Sequence, residues 1–534
     1  MSIVAVIPAK EKSARLKNKN LKKIGPKTLI EISVDYAKKS KKITEIFVST
    51  DSQEIKNLAK DMGVKCILRG KDLSGDAPLF EVYRHAFNHI SKNNTVDYVV
   101  GLQPDNPDRN IDIDYSIEYA INKQADDLFT VGRDGQKNGS LRILSSKALT
   151  SNLIASSSIL DECTNIHSID DLNIARYSFE KKTYIKVDDR RIGNSEKVFV
   201  IAEAACNHMC DMIIAKKMID EAAKAGADAI KFQTYKAERL ATSKSNAYWG
   251  SEKSTQLEYY KKLDKFGKEE YEELFSYAKK KGIVGFSTPF DIESASMLNS
   301  LGMPLFKLAS CEINNLDLLR HVARFKKPII LSTGASTVDE IDAAISVIFG
   351  QDNFDLILLA CTLSYPTENN NANLNRIKTL KQRYPNITIG LSDHTRPDEN
   401  MIIPSLAVAM GARVIEKHYT LDRGWTGSGH FFSIQPEDLK KMIANIGLAT
   451  TVLGTPNLEV MPEEMKAFVG ARKSVVAMCD IKSGMVITKD MLALKRPGIG
   501  IPSEKIDTVV GRMSRIDILR DTILSDDMFY SEAK

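Results

Sequence analysis

Two histidines occur where they could share a metal ion. His394 ends the apolar stretch 389–394 (IGLSDH), and His418 ends the stretch 414–418 (VIEKH), 24 residues further on. A helical interval between two such stretches is typical of neighbouring parallel strands. Two neutral imidazoles at the ends of those strands could bind one divalent cation. Isolated pairs of this kind more often serve as hydrogen-bonding residues, so the prediction depends on their neighbours.

Their neighbours belong to a pattern that repeats eight times. Apolar runs occur at 198–205, 229–235, 283–288, 304–309, 328–333, 356–362, 387–391 and 413–418, each followed by a helical stretch. Eight βα units in this length predict a TIM barrel, whose active site lies at the carboxyl ends of its strands. Buried-type lysines and glutamates at strand ends are difficult to explain as packing. The polar residues at these ends are Glu203, Asn207, His208, Lys231, Gln233, Ser287, Thr288, Lys307, Ser310, Glu312, Ser332, Thr333, Thr362, Tyr365, Ser392, Asp393, Glu416 and Lys417.

The second half of the chain resembles the sialic acid synthase family over nearly all of 198–534. The motifs that carry the resemblance are IAEAACNH, AGADAIKFQTY, FSTPF, KLASCEINN, PIILSTG, CTLSYPT, IGLSDHT, GARVIEKHYTLD and KRPGIG. That family joins phosphoenolpyruvate to an open-chain N-acetylhexosamine, such as N-acetylmannosamine, to give a nine-carbon 2-keto acid and phosphate. The product class includes sialic and legionaminic acids, and the sequence does not select one.

The resemblance assigns roles to particular residues. It implies a divalent metal, typically Mn²⁺ with Mg²⁺ or Co²⁺ as alternatives, on His394 and His418. Glu312, Glu203 and Lys307 are the implied catalytic residues. Substrate contacts are implied for Lys231, Asn246, Ser310, Ser332, Tyr365, Ser392 and Arg496.

One departure lies within the expected sugar site. The family commonly has Pro-Gly-x-Asp after the eighth strand, whose carboxylate binds sugar hydroxyls. This chain has TGSGH at 426–430, with Gly429 where the carboxylate is expected. Ala360 and Leu363 also replace more polar residues. The identity of the sugar is therefore in doubt, whereas the phosphoenolpyruvate half of the site is not.

The C-terminal residues form short apolar segments separated by glycine and proline, a pattern that predicts a small β-rich module. The module resembles the antifreeze-like (SAF) domain that ends sialic acid synthases. In that family the domain reaches the partner subunit's barrel in a swapped homodimer. Arg496 of the KRPGIG motif would then point at the partner's substrate.

The N-terminal residues predict a separate doubly wound α/β domain. Strand-like runs at 3–8, 46–50 and 98–102 alternate with helical segments, and ligands of such sheets bind beyond the carboxyl ends of the strands. The order of elements resembles the cytidylyltransferases that activate sialic acids, through IPAKEKSARLKNKNL at 7–21, STDSQEI at 49–55, Arg69 with Asp76, LQPDNPDR at 102–109 and IHSIDDLNIA at 166–175. The resemblance implies nucleotide contacts for Lys10, Arg15, Lys19 and Asn20.

Several departures predict that this domain has lost catalysis. Glu11 and Lys12 replace a glycine-containing phosphate loop, and LQPDNPDR replaces the family's LQPTSPLR. Asn165 and His167 align with the carboxylates that would bind magnesium, and neutral ligands bind this cation poorly. We predict a degenerate docking or regulatory domain.

Composition restricts the remaining possibilities. The 534 residues carry 74 basic and 69 acidic side chains, an excess too small to indicate binding to nucleic acid or membranes. Seven scattered cysteines without a CxxC pair are typical of reduced thiols in a cytoplasmic protein. No apolar run is long enough for a membrane span.

These observations predict five segments: a cytidylyltransferase-like domain at 1–182, a linker at 183–196, the barrel at 197–455, a second linker at 456–473 and the SAF domain at 474–534. The leading hypothesis is a metal-dependent condensing enzyme. Two alternatives stay open, a bifunctional enzyme that also activates its product with CMP and a regulatory homologue without catalysis.

Overall fold

A computed structural model describes residues 1–530 except 12, 14, 15, 75, 76, 133, 134, 152, 153, 162, 181, 182 and 248–254. The chain divides into two compact units, Met1–Leu453 and Gly454–Lys534. The first unit contains an N-terminal sheet and a barrel. None of the helices in the described part of the chain is long and apolar enough to cross a membrane.

The N-terminal sheet has the predicted doubly wound core. Among the described residues, seven strands pair in the order β5-β4-β1-β6-β8-β7-β9, with β5, β4, β1 and β6 parallel. Apolar residues on both faces of β1 are buried, which explains its uninterrupted apolar sequence. The strands are β1 Ile3–Ala9, β2 Lys23–Ile24, β3 Lys27–Thr28, β4 Glu45–Thr50, β5 Lys65–Leu68, β6 Tyr98–Gly101, β7 Asp127–Val131, β8 Lys137–Ser145 and β9 Ser156–Leu160; the helices are α1 Leu29–Lys38, α2 Gln53–Asp61, α3 Leu79–Ile90, α4 Ile113–Asn122, α5 Ser146–Thr150 and α6 Ile169–Glu180.

The predicted linker at 183–196 contains a β-hairpin. Its strands, β10 Tyr184–Val187 and β11 Arg190–Gly193, are antiparallel. The side chains of Ile185, Val187 and Ile192 are buried in the core of the barrel. Arg190 pairs with Asp228 at 3.0 Å and donates to the Gly282 carbonyl at 2.7 Å. The surrounding charged residues obscured this short alternation of apolar side chains in the sequence.

The barrel contains the eight predicted parallel strands. They pair in the order β14-β13-β12-β19-β18-β17-β16-β15, so that the first strand lies beside the last. No ladder joins β14 to β15 within the described residues, although the two strands are neighbours. The strands are β12 Phe199–Ala205, β13 Ala229–Thr234, β14 Val284–Pro289, β15 Phe306–Leu308, β16 Ile329–Ser332, β17 Leu356–Cys361, β18 Thr388–Asp393 and β19 Val414–His418.

Helices connect the barrel strands, and their ends follow local sequence signals. Asp211 caps the first of them by accepting from the N–H groups of Ile213 and Ile214, and Gly226 ends it at φ 93°, where a side chain would be strained. The helices of this domain are α7 Met212–Ala225, α8 Ala237–Leu240, α9 Gln256–Leu263, α10 Lys268–Lys280, α11 Ile292–Ser300, α12 Leu316–Ala323, α13 Val338–Phe349, α14 Asn375–Arg383, α15 Ile402–Ala409 and α16 Pro436–Leu453.

The N-terminal domain packs against the barrel through α6 and α13. The contact is mainly polar. Asn173 of α6 donates to the Ser346 carbonyl at 3.3 Å, and the Ser346 hydroxyl donates to Asp170. Arg176 lies 3.9 Å from Asp352.

The second unit is small and rich in turns. Its strands, β20 Ser474–Ala477 and β21 Leu492–Lys495, are antiparallel, and isolated bridges extend the pairing. Ten buried apolar residues form its core. The predicted linker at 456–473 contains a 3-10 turn, Pro462–Glu464, and one helix, α17 Met465–Ala471.

Candidate functional site

A cavity of about 190 Å³ opens at the carboxyl ends of the barrel strands. All eight strands, or the loops that follow them, contribute to its lining. Of the residues predicted from the sequence, the lining includes Glu203, Lys231, Lys307, Ser310, Ser332, Tyr365, Ser392, His394 and His418. The barrel topology therefore brings most of the predicted catalytic and substrate-binding residues together.

Two lysines and two glutamates form a buried charged cluster in this cavity. Lys231 Nζ contacts Glu203 Oε2, lies 3.7 Å from Glu416 Oε2, and donates to Thr288 Oγ1 at 3.0 Å. Lys307 Nζ lies 3.8 Å from Glu416 Oε1. The opposite charges of this cluster lie close together, which offsets part of the cost of burying them.

The pKa values of the two glutamates are shifted in opposite directions by their surroundings. Burial raises the pKa of Glu203 above its ordinary value, although Lys231 opposes this effect. Burial would also raise the pKa of Glu416, but Lys231 and Lys307 outweigh it and hold that pKa below its ordinary value. Glu416 is thus a carboxylate at neutral pH, whereas Glu203 is the better candidate to exchange a proton.

Hydroxyl groups surround the two lysines. Ser392 Oγ donates to Glu416 Oε1 at 2.9 Å, and Ser310 Oγ accepts from the Gly334 N–H at 2.9 Å. Ser332 Oγ is buried and has no hydrogen-bond partner among the described residues. Ammonium and hydroxyl donors in this arrangement suit a phosphate or a carboxylate.

The two imidazoles lie side by side, with ring centroids 5.3 Å apart. The Thr362 carbonyl, 3.0 Å from His394 Nδ1, accepts a hydrogen bond from that nitrogen in the tautomer that leaves Nε2 as a ligand. His418 Nδ1 is buried without a partner among the described residues. Burial lowers the pKa of His418 well below its ordinary value. Burial alone would lower the pKa of His394, but Cys361, 3.8 Å away, the Thr362 carbonyl and Glu416 together raise it.

Two predicted residues of the first unit, Glu312 and Asn246, lie outside the lining of this cavity. Glu312 is almost buried on a 3-10 turn, where its Oε2 accepts from Asn315 Nδ2 at 2.8 Å; burial raises its pKa. Asn246 is exposed, and its carbonyl accepts from Gln256 Nε2 at 3.0 Å. Arg496 belongs to the second unit, is exposed, and has no hydrogen bond or ion pair with the described residues. Their roles stay predictions.

The structure adds cavity residues to which sequence reasoning gave no role. Glu416 pairs with both lysines, and Gln233 Nε2 donates to Glu203 Oε1 at 3.3 Å. Asn207 and Phe432 also line the cavity. Glu416, Gln233 and Asn207 were among the predicted strand-end residues. Alternation along β19 places Glu416 on the same side as His418 and could have indicated a role for it.

The N-terminal domain has a second cavity, of about 300 Å³, beyond the carboxyl ends of its parallel strands. Lys10, Lys19 and Asn20 line it, together with Arg69, Asp105 and His167. Arg15, Lys12 and Asp76 lie outside the described residues. Lys19 Nζ is buried, 2.6 Å from Asp105 Oδ2 and 3.0 Å from the Ile166 carbonyl.

Family models match three parts of the chain. The NeuB family model matches residues 218–457, a cytidylyltransferase model matches 4–280, and a SAF domain model matches 472–529. The cytidylyltransferase match continues into strands of the barrel, so its limit does not mark a domain boundary.

Relatives are similar to this chain over nearly all of their own length. The N,N'-diacetyllegionaminic acid synthase of Campylobacter jejuni is 37% identical over 338 residues, 62% of this chain and 100% of that protein. An uncharacterized protein, MJ1065, from Methanocaldococcus jannaschii is 42% identical over 64% of this chain and 97% of its own length. The crystal structure of a putative spore coat polysaccharide biosynthesis protein E from Chromobacterium violaceum matches with a TM-score of 0.55 and 26% identity, covering 63% of this chain and 100% of that one.

Proposed function

The chain belongs to the NeuB family, and we propose that it condenses phosphoenolpyruvate with an acylamino sugar aldehyde to give a nine-carbon 2-keto sugar acid and phosphate. The observation that carries this proposal is the juxtaposition of Lys231, Lys307 and the serine hydroxyls with the paired imidazoles. One group of side chains suits the phosphate and carboxylate of phosphoenolpyruvate, and the other suits a metal-bound carbonyl.

The two imidazoles fit a divalent cation. His418 Nδ1 is a buried nitrogen without a partner among the described residues, and its lowered pKa keeps the ring neutral. The described residues contain no cluster of three or more His, Cys, Asp or Glu that could hold a metal. The remaining ligands would therefore be water or substrate. A cation such as Mn²⁺ on His394 and His418 would supply Lewis-acid polarisation of the aldehyde oxygen.

The protein's own groups then account for the reaction. Lys231, Lys307 and the serines bind phosphoenolpyruvate, and phosphate binding competes with Glu203 and Glu416 for the two ammonium groups. The C3 carbon of phosphoenolpyruvate forms a bond to the aldehyde carbon, whose oxygen gains a proton and becomes a hydroxyl. Water adds to C2 and loses one proton, which leaves a hydroxyl on C2. As the bond from C2 to the phosphate oxygen breaks, that hydroxyl gives its proton to the departing phosphate and becomes the ketone. Glu203 and Glu312, whose pKa values are both raised, are the proposed acid and base.

The test is phosphate release from phosphoenolpyruvate with Mn²⁺ and a panel of acylamino hexoses, with the product identified by mass. Mg²⁺ and Co²⁺ serve as alternative metals. His418→Ala should remove at least 99% of the activity, a loss of the order expected when a catalytic metal site is broken. Its melting temperature should change little. Retention of metal-dependent activity by that variant would contradict the assigned centre.

We further propose that the N-terminal domain does not transfer CMP. The Asp105 carboxylate neutralises Lys19, and Asn165 and His167 offer no carboxylate for magnesium. A bifunctional enzyme would require detectable CTP turnover by this domain. A regulatory homologue would require a catalytically inactive barrel. The buried cluster of Lys231, Lys307, Glu203 and Glu416 argues against that alternative.

We also propose a homodimer in which the SAF module serves the partner's barrel, and a cytoplasmic location. Exposed apolar side chains on and before α17 support the dimer, because free apolar groups in such a stretch favour association. They are Leu458, Val460, Met461, Met465 and Val469. Equilibrium ultracentrifugation tests the dimer.

A further inference from the structure

Gly429 faces the mouth of the barrel cavity, and its backbone does not require glycine. Its φ is −79°, which any residue adopts. An added Cβ would nevertheless lie 2.9 Å from Cε1 and 3.0 Å from Cζ of the Phe432 ring. These distances are too short for carbon atoms in contact. Glycine is therefore needed at 429 because of the phenylalanine at 432.

Phe432 forms a wall beside the paired imidazoles. Its ring centroid lies 4.9 Å from that of His418 and 5.8 Å from that of Tyr365. Phe432 is 4% exposed, and Leu363 and Phe431 also line this cavity. A ligand beside His418 therefore meets an aromatic, uncharged surface on this side.

Asn207 supplies an acceptor at the same place. Its Nδ2 donates to the Tyr419 carbonyl at 2.9 Å and to Ser433 Oγ at 3.1 Å. Because a carbonyl oxygen only accepts, this contact fixes the orientation of the amide. Asn207 Oδ1 is buried without a partner among the described residues, and it lies 3.8 Å from the position of a Cβ on Gly429. A buried acceptor of this kind is satisfied by an N–H or O–H donor, which water supplies before a ligand binds and a bound ligand can replace.

We infer that Gly429 and Phe432 act as a coupled pair that selects a deoxy sugar with a second acylamino group over N-acetylmannosamine. An acylamino group matches both features, since its N–H can donate to Asn207 Oδ1 while its methyl group packs on Phe432. A sugar methyl group in place of a hydroxyl also suits this wall. The inference rests on the proposed function and concerns the sugar half of the same cavity.

The discriminating experiment compares N-acetylmannosamine with a 2,4-diacetamido-2,4,6-trideoxyhexose. For the wild type, kcat/KM should favour the diacylamino sugar by about tenfold or more, because one apolar group changes binding by about 10- to 200-fold. Phe432→Ala should reduce this preference towards unity. Manganese content is measured in parallel, since Phe432 contacts His418.

A double-mutant cycle tests the coupling. Gly429→Asp alone should impair the use of both sugars at least tenfold, because the new side chain must displace the Phe432 ring. Gly429→Asp combined with Phe432→Ala should recover activity and shift the preference towards N-acetylmannosamine. Gly447→Asp in α16 is the matched control, since an added Cβ there meets nothing within 4 Å.

Sugar affinity by calorimetry, with Mn²⁺ present and phosphoenolpyruvate omitted so that no turnover occurs, separates this inference from the proposed function. If no sugar is turned over but the wild type binds the diacylamino sugar more tightly, the condensation proposal fails and this inference stands. Equal affinity for the two sugars would overturn the inference, even with full turnover. Strictly additive effects of the two substitutions would overturn the coupling.

Discussion

Lys19 Nζ lies 2.6 Å from Asp105 Oδ2, so a cation of the N-terminal cavity is neutralised by the protein itself. Lys19 also donates to the Ile166 carbonyl at 3.0 Å. A nucleotide phosphate would have to displace the Asp105 carboxylate and would meet its negative charge. Because of this ion pair, we expect the N-terminal domain to bind nucleoside triphosphates weakly.

Replacing that carboxylate should therefore strengthen nucleotide binding. We expect Asp105→Thr to tighten the Kd for CTP about tenfold, since hydrogen bonds to charged groups contribute about 1.5–3 kcal/mol. Calorimetry with CTP and Mg²⁺ measures this change. Asp35→Asn removes an exposed ion pair with Lys27 and serves as control. Wild-type turnover of CTP, or no effect of Asp105→Thr, would contradict this role of the pair.

The acid stability of the barrel should depend on His208. This ring stacks on Phe266 at 4.6 Å, and its Nδ1 accepts from the Cys210 N–H at 3.1 Å. Burial lowers the pKa of His208 to about 4. Because the unfolded chain takes up a proton first as pH falls, this stability is complete above about pH 6.5 and declines towards pH 4.

The expected loss between pH 7 and pH 5 is about 2 kcal/mol in the free energy of unfolding. His208→Gln should remove this part of the pH dependence, even if it lowers stability at every pH. The measurement is denaturant unfolding of the two proteins at a series of pH values. Exposed His89, changed to Gln, is the control. If the free energy of unfolding changed with pH in the same way for wild type and His208→Gln, His208 would not be the cause of the acid sensitivity.

The sequence allowed the barrel to be predicted because its strands are buried on both faces and appear as uninterrupted apolar runs. The same reasoning missed β10 and β11, whose three buried side chains are separated by Lys186 and by charged residues of the turn. It also gave no role to Glu416. A carboxylate between two lysines is recognisable once three separate strands are known to be neighbours, which depends on long-range pairing.

Other features depend on side-chain geometry that no spacing reveals. Gly429 was noticed as a missing carboxylate, but its relation to Phe432 required the position of the ring. The same holds for α6, whose Asn173 reaches a serine 173 residues away in the sequence. Polar contacts of this kind leave no periodic signal.

The packing of the β10–β11 hairpin on the barrel leads to a prediction about truncated proteins. A chain that begins at residue 183 loses the polar contact between α6 and α13 and should keep phosphate release within about threefold of the full chain. A chain that begins at residue 197 also loses Ile185, Val187 and Ile192 from the barrel core. At about 1.5 kcal/mol for each side chain, its melting temperature should be about 10 °C lower.

Thermal melting of the two truncated proteins measures this difference directly. Ile185→Asp in the full chain provides an independent test, because it damages the same contact without removing residues. Arg191→Ala, at an exposed position of the same hairpin, is its matched control. Equal melting temperatures for the two truncations would show that the hairpin contributes little.

The last prediction concerns Arg496, which is exposed on the second unit and carries a guanidinium suited to hydroxyls or an amide carbonyl. If it completes the partner's site, Arg496→Ala should raise KM for the sugar at least tenfold and leave phosphoenolpyruvate affinity nearly unchanged. Mixing this variant with His418→Ala should then restore activity. A mixed dimer contains one site with both an intact barrel and an intact arginine.

Random exchange of equal amounts makes half of the dimers mixed, so about a quarter of all sites should be active. Subunit exchange is first verified with two differently tagged chains. His418→Ala mixed with Lys307→Ala is the matched control. Both substitutions lie in the barrel, so each barrel of a mixed dimer carries one of them and neither site is intact. Recovery in the first mixture and none in the second requires that the barrel and Arg496 of one site come from different chains. If exchange occurs and both mixtures stay inactive at a low sugar concentration, Arg496 acts on its own barrel. If Arg496→Ala alone keeps wild-type activity, Arg496 has no part in the site.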